Sequence, residues 1–424
     1  MNFNGILFWT EKDDSENDET SSRDPLGTET FAGQLAELIL PGLTTITWRV
    51  RYLTLICLWL RCIKEELKED NADKILEHIK NLEKLTTYCI IKQYNENEDN
   101  HQTAYLIGRR YANAYFKKNM EKFSIDRKHF PFLVNHGSVG AFTTYKVLLK
   151  VLGYIEDDDE YTLTPDGMDL IEGLQIPHAL FVKNILKGEK TDAHSKKFDS
   201  LGEFFDLSNF KIPEEKKRLR YDLLANVTRK TTFMLIKKNL QESEFDTISK
   251  ISKTRPVAEN EKSVITICDY ITRFEKLNRE IHYIFYFLMD MDANQIDIRD
   301  FLKKPNTQEC LSTMTGKALD DYMEFHASNE QILGKYDKRP YELFIQLKEC
   351  RNDNEQCIKI IIEHHVNNQK QKTKAPWIDH KDGKCTVILS QYRKNIEEVE
   401  RIREMAVHSY RTSNAWKMIH ELAI

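Results

Sequence analysis

Glycine and proline are both scarce in this chain, 15 and 10 among 424 residues. Turns and hairpins draw on those residues for their backbone angles, so a turn-rich all-β protein is excluded and helices are favoured. Glycine-rich phosphate loops are missing too: neither GxxxxGKS/T nor GxGxxG occurs. The eight cysteines (Cys57, Cys62, Cys89, Cys268, Cys310, Cys350, Cys357 and Cys385) contain no CxxC pair, which argues against zinc knuckles and ribbons. Several sit in apolar runs, where a thiol behaves as a small hydrophobe. The opening MNFNGILFWTEKDD lacks the basic and apolar regions of a secretory signal, so the expected location is a reducing cytoplasm. A long apolar run is also lacking. Residues 52–60 are apolar, whereas spanning a bilayer takes ~20 residues. With Arg49, Arg51 and Arg61 at its edges, that run reads as a buried core helix, and no membrane partner is expected.

What is present is enough apolar material for sizeable cores, 41% of the residues, and 30% charged residues of both signs. The formal net charge of −5 does not describe a general polyanion binder. Any nucleic-acid site must be a local basic patch.

The pattern predicts a mainly α, multi-domain helical protein with an embedded winged-helix-like module. Four regions are expected: an acidic tail at 1–24, a helical domain at 25–130, a winged-helix-like region with a helical extension at 131–245, and a C-terminal helical domain at 255–424. In the first helical domain Pro41-Gly42 separates two helices, with Thr28 or Thr30 and the threonines at 44, 45 and 47 as caps. From Gly137 the order is a helix to Leu152, Gly153, a β-prone pair, an acidic turn, Tyr161-Thr162-Leu163, and a helix opened by Thr164-Pro165. That is the order of the end of a winged helix-turn-helix. Residues 185–215 and 292–318 read as polar and loop-like, 385–389 as a short strand, and 391–424 as one last helix.

The wing has the wrong sign for DNA. Residues 137–175 carry two basic residues, Lys146 and Lys150, against eight acidic ones. Such a wing repels phosphate within a Debye length of ~8–10 Å, so the module reads mainly as a protein-docking element. Two other stretches suit nucleic acid better. Residues 109–130 interleave Arg109, Arg110, Lys117 and Lys118 with Tyr111, Tyr115, Phe116 and Phe123; residues 211–238, with Lys217, Arg218 and Arg220, carry nine basic residues against three acidic. Rings that stack on bases and cations that hold phosphates fit single strands. The competing reading is an amphipathic helix with its aromatics in the core.

Arg49 and Arg51, beside Trp48 and Tyr52, can bind phosphate or pair with carboxylates such as Glu37 and brace the fold; without a second phosphate-binding element the brace is favoured. Glu363-His364-His365 and His380 lack the converging spacing of a metal site, so no metal or other cofactor is expected. Arg403 and His408 match the Arg-x4–6-His spacing of helical HEPN-type ribonucleases, in which an arginine places phosphate and a histidine serves acid–base chemistry. With 13 histidines in the chain such a pair also arises by chance.

One further pattern runs through Phe8-Trp9, Leu26-Gly27, Pro41-Gly42, Thr44/Thr45/Thr47 and Arg49-Val50-Arg51-Tyr52. It resembles the start of a group of uncharacterised bacterial proteins that tend to occur in multi-gene antiviral defence clusters. The resemblance covers about 55 of 424 residues and carries no catalytic residues. It implies a defence-system component. The expected function is therefore a non-catalytic adaptor or sensor that docks other subunits of a defence complex, with DNA or RNA as a further ligand. A HEPN-like ribonuclease and a winged-helix DNA-binding regulator are the alternatives.

Overall fold

The computed structural model describes residues 24–94, 103–118, 120–133, 140–290 and 295–424. The expected acidic tail lies almost wholly outside them. The chain is mainly helical, as its composition predicted. Its contacts divide it into two units that the linear division did not foresee: residues 1–39 with 234–412, and 40–233 with 413–424. The chain leaves the first unit after Ile39, just before Pro41-Gly42. The two helices expected in one N-terminal domain thus belong to different units.

The first unit is built on the helix Glu259–Asp290, 32 residues long. Ile271, Phe274, Ile281, Ile284, Phe285 and Leu288 are fully or almost fully buried on it, at the three- and four-residue spacing of a helix stripe. Polar residues are buried on it too. Glu275 accepts from the Tyr410 hydroxyl at 2.7 Å and from the backbone N–H of Val407 at 2.8 Å. These contacts break the expected last helix in two, Ile396–Glu404 and Thr412–Leu422. Helices Ile298–Leu302 and Pro305–Thr315 occupy the stretch expected to be a polar middle. A three-stranded antiparallel sheet joins Ile378–Lys381, Lys384–Val387 and Gln295–Asp297, with Lys384–Val387 in the centre.

Residues 24–28 run into the first helix, Glu29–Ile39, with little regular structure of their own, yet they are buried. Their carbonyls are taken by one face of the helix Asn354–Gln371 and the residue after it. His364 Nε2 donates to Leu26 O and His365 Nδ1 to Pro25 O, both at 2.8 Å. Asn368 Nδ2 donates to Asp24 O at 3.0 Å and Pro25 O at 3.1 Å, and Lys372 Nζ to Asp24 O at 3.1 Å. Gly27 lies in the left-handed region at φ +69°, and a Cβ there would sit 2.5 Å from Asn368 Oδ1. The helix cap is Asp24, which accepts from the N–H groups of Thr28 and Glu29. Thr28 uses its hydroxyl elsewhere, between His282 Nε2 at 3.1 Å and His408 Nε2 at 2.7 Å.

In the second unit the helix Tyr52–Arg61 is buried at every position from 52 to 60, as expected. It has no side-chain cap. The threonines assigned that role instead close the preceding loop, where Thr47 Oγ1 accepts from Thr44 N at 3.0 Å. The long helix Ala72–Tyr94 packs on Lys197–Phe205, a helix inside the stretch expected to be loop. Close approach is possible because Gly202 lacks a side chain: a Cβ there would lie 2.5 Å from Cys89 O. The two helices expected on either side of the acidic turn are present as Ala141–Val151 and Pro165–Leu170, the latter capped by Thr164. The hairpin between them is held by one antiparallel bridge, Ile155 to Leu163, rather than by paired wing strands. Lys146 pairs with Glu160 at 2.9 Å and Lys150 donates to Asp157 O at 2.7 Å, so both lysines of this helix are spent on the acidic turn. Among the described residues no helix is long and apolar enough to cross a membrane.

His365 also accepts from the Trp377 N–H at 2.8 Å through Nε2. One nitrogen donates and the other accepts, so the imidazole is neutral. Burial lowers its pKa from 6.5 to about 4 and lowers those of His282, His326 and His364 as well. A depressed folded-state pKa means that the unfolded chain binds more protons between the two values. The stability from His365 is therefore full above pH 6.5, falls as pH drops towards 4, and levels off below; the loss is on the order of 3 kcal/mol. Hydrogen-exchange protection of the Asn354–Gln371 helix, corrected for the intrinsic exchange rate at each pH, should fall over that window. Protection that stays flat from pH 7 to pH 4 would remove this account.

Candidate anion-binding site

The helix Pro213–Ala225 opens with proline at its first position, and its N-cap, Ile212, offers no side-chain acceptor. What fixes this end is Glu215, 1% exposed, which accepts from Lys211 N at 3.0 Å and from Arg51 Nε at 3.0 Å. Arg51 is fully buried. Its Nη1 donates to Phe204 O at 2.8 Å and also to Asp206 O. Burial lowers its pKa, while Glu215 opposes that shift. One guanidinium thus ties the end of the Lys197–Phe205 helix to the first turn of the next. Asp206 holds the loop between them, accepting from Ser208 N at 2.8 Å and from the Tyr94 hydroxyl at 2.7 Å.

Above this brace lies an open cleft of about 700 Å³. Lys211, Lys216, Lys217 and Arg220 line it, with Phe210, Ile212, Pro213, Leu422 and Ala423. No acidic side chain is among the lining residues. Lys216 Nζ stands 5.7 Å from the Phe210 ring centroid. Burial, and then Arg51, lowers the pKa of Lys211. Lys217 and Arg220 are exposed. Four cations, a half-buried ring and an apolar floor suit a phosphate group attached to something that stacks.

The residues expected to bind nucleic acid fare differently from one another. Lys217 and Arg220 reach the cleft, but Arg218 does not. Its Nε donates to Asp222 at 2.6 Å and its Nη2 to Asp166 at 2.5 Å, and these carboxylates raise its pKa. In the other stretch Arg110, Lys117 and Lys118 are exposed and Arg109 is half-buried. Of the aromatics interleaved with them, Tyr111 and Phe116 are half-buried, while Tyr115 and Phe123 are buried and not available to bases. Tyr115 stacks on Phe130 at 4.3 Å, and Phe123 lies 4.4 Å from Tyr88, inside the core. The amphipathic-helix reading holds for these rings.

Arg49 is a brace like Arg51. It pairs with Glu421 at 2.6 Å and donates to Ala104 O at 3.2 Å. Glu37, the carboxylate suggested for this role, pairs with Arg411 at 2.6 Å. Arg403 and His408 do not share a helix. Arg403 ion-pairs with Glu280 at 3.4 Å and Glu309 at 3.1 Å, and His408 lies in the connection that follows. His380 contacts Glu363 at 3.0 Å, and among the described residues no group of three or more ligating side chains could hold a metal.

Sequence reading passed over Phe210, Lys211 and Lys216 individually, although all border or lie in the basic stretch. The approach of Leu422 and Ala423 had no local signal. No family model matches this chain, and neither a curated protein nor a solved structure does.

The brace has a measurable consequence. Replacing Arg51 by Met leaves the Glu215 carboxylate buried without its cation, a change that costs about 3–5 kcal/mol. Adding Glu215→Leu removes the stranded charge and should recover much of the loss. Urea denaturation of the single and double variants checks this. A single variant within about 1 kcal/mol of the parent would contradict the assignment.

Proposed function

We propose that this chain is a non-catalytic adaptor or sensor subunit of a bacterial antiphage defence system, acting in the cytoplasm. It recognises a phosphate-bearing ligand, single-stranded nucleic acid foremost, through the cleft at the head of the Pro213–Ala225 helix. The observation that carries this reading is a cleft lined by four cations and no acidic side chain in a chain of net charge −5. The defence setting rests on the N-terminal resemblance. Docking of partner subunits rests on the acidic turn at 156–160, whose charges two lysines only partly offset. A duplex-reading role for the Ala141–Val151 helix is disfavoured, because those lysines already have partners.

Binding of a labelled single strand of about twenty nucleotides, followed by fluorescence anisotropy at several salt concentrations, tests the reading. The double variant Lys217→Glu, Arg220→Glu should bind at least about tenfold more weakly, with a salt slope shallower by roughly 1.4 for two lost phosphate contacts. Arg110→Glu with Lys118→Glu should bind nearly as the parent does. Equal weakening by both pairs, or no binding by the parent at low salt, overturns the assignment of the cleft.

A further inference from the structure

Cys350 closes the helix Arg339–Glu349, and Cys357 stands in the first turns of Asn354–Gln371. Their sulfurs are 3.4 Å apart, in direct contact and not bonded. The turn between them fixes this arrangement. Asp353 N donates to Cys350 O at 2.8 Å, and Cys357 N donates to Asp353 O at 3.0 Å. The Asp353 carboxylate caps the second helix by accepting from Gln356 N at 3.0 Å. The Cys357 thiol also lies 3.4 Å from Cys350 O. The two thiols differ in access: Cys350 is half-buried and Cys357 is buried. A reagent can reach the first, and the second is already against it.

We infer that Cys350 and Cys357 form a site of reversible two-electron oxidation, with hydrogen peroxide as the oxidant. The thiolate of Cys350 attacks one peroxide oxygen. The O–O bond breaks, and the departing hydroxide takes a proton to become water, leaving a sulfenic acid on Cys350. The thiolate of Cys357 then attacks that sulfur. The S–S bond forms, the S–O bond breaks, and a second hydroxide leaves as water. Two thiols lose two electrons and two protons, and one peroxide becomes two waters. A small dithiol returns both sulfurs to the reduced state. Closing the bond brings two sulfurs already in contact to ~2.05 Å. Burial holds both thiols above their ordinary pKa, so the reaction runs faster as pH rises and the thiolate fraction grows.

The full chain treated with hydrogen peroxide, blocked with a thiol alkylator and digested without reductant should yield a peptide pair joined through Cys350 and Cys357. That product should be lighter by two hydrogens and should disappear with dithiothreitol. In Cys357→Ser the resolving thiol is gone, so dimedone labelling of Cys350 should rise at least about threefold over the parent. The parent measurement needs no variant to fold. Two thiols that remain fully alkylatable after peroxide, or a crosslink made mainly by another pair, overturn the inference. So does dimedone labelling of Cys350 that is equal in the parent and the variant.

Discussion

Buried backbone that no helix or strand satisfies must find partners elsewhere, and that requirement shapes both units. Residues 24–28 meet it in the first unit and residues 44–50 in the second. The former give their carbonyls to His364, His365 and Asn368 on one face of a single helix and to Lys372 just after it. The latter meet the helix Thr412–Leu422. Asn414 Nδ2 donates to Thr44 O at 2.8 Å, and Glu421 accepts from Val50 N at 2.9 Å. Between them the Lys417 ammonium sits 3.4 Å from the Tyr105 ring centroid and 5.2 Å from that of Trp48. Leaving one such buried group unpaired costs ~1–3 kcal/mol, against a total stability of ~5–15 kcal/mol. A handful of losses would unfold a unit. This is why polar residues such as His365, Asn368 and Gln369 occupy positions on a helix face that burial would otherwise give to leucine.

The buried arginines answer the same requirement. Arg51 serves two carbonyls and one carboxylate. Arg229 serves the carbonyls of Leu223 at 2.7 Å, Pro41 at 2.9 Å and Asp222 at 3.3 Å. A guanidinium can do this because it is planar and offers five donors in a fixed fork; a lysine ammonium cannot reach as many fixed acceptors at once. The basic stretch at 211–238 therefore contains three kinds of cation. Arg229 is structural, Arg218 is neutralised by two aspartates, and Lys217 and Arg220 face solvent at the cleft. Counting charges along the sequence mixes the three. Burial and pairing separate them.

Much of the architecture was legible because it rests on short-range pattern. The apolar run at 52–60 marked the buried helix Tyr52–Arg61, and Thr164-Pro165 marked a real helix start. Missed helices such as Lys197–Phe205 lie in polar stretches, where tertiary packing rather than composition decides. The Asp382-Gly383 turn of the hairpin, with both residues at positive φ, carried a readable signal that the basic surroundings masked. The two units were not legible at all. Which segments join residues 1–39 or 413–424 is set by contacts hundreds of residues apart, and no local window contains them. At the site the sequence pointed to Lys217 and Arg220 but also to Arg218, whose partner Asp166 stands 52 residues away. The brace role of Arg49 and Arg51 followed from the absence of a phosphate loop, while their actual partners, Glu421 and Glu215, did not.

The proposed ligand must also agree with the size of the charge. Three of the four cleft cations, Lys216, Lys217 and Arg220, lie within about one helical turn, ~5.4 Å of axis. That length neutralises one or two phosphates, not a long tract. A volume of about 700 Å³ accommodates a nucleotide-sized group. The overall negative charge works in the same direction. A formal net charge of −5 gives a polyanion no general attraction to the rest of the chain. Affinity then has to come from few phosphate contacts plus stacking and apolar burial. Such binding loses less to salt than binding along a basic surface does, because few counterions are released. A local reader of a terminus or a short single-stranded segment fits these limits; a coat along nucleic acid does not.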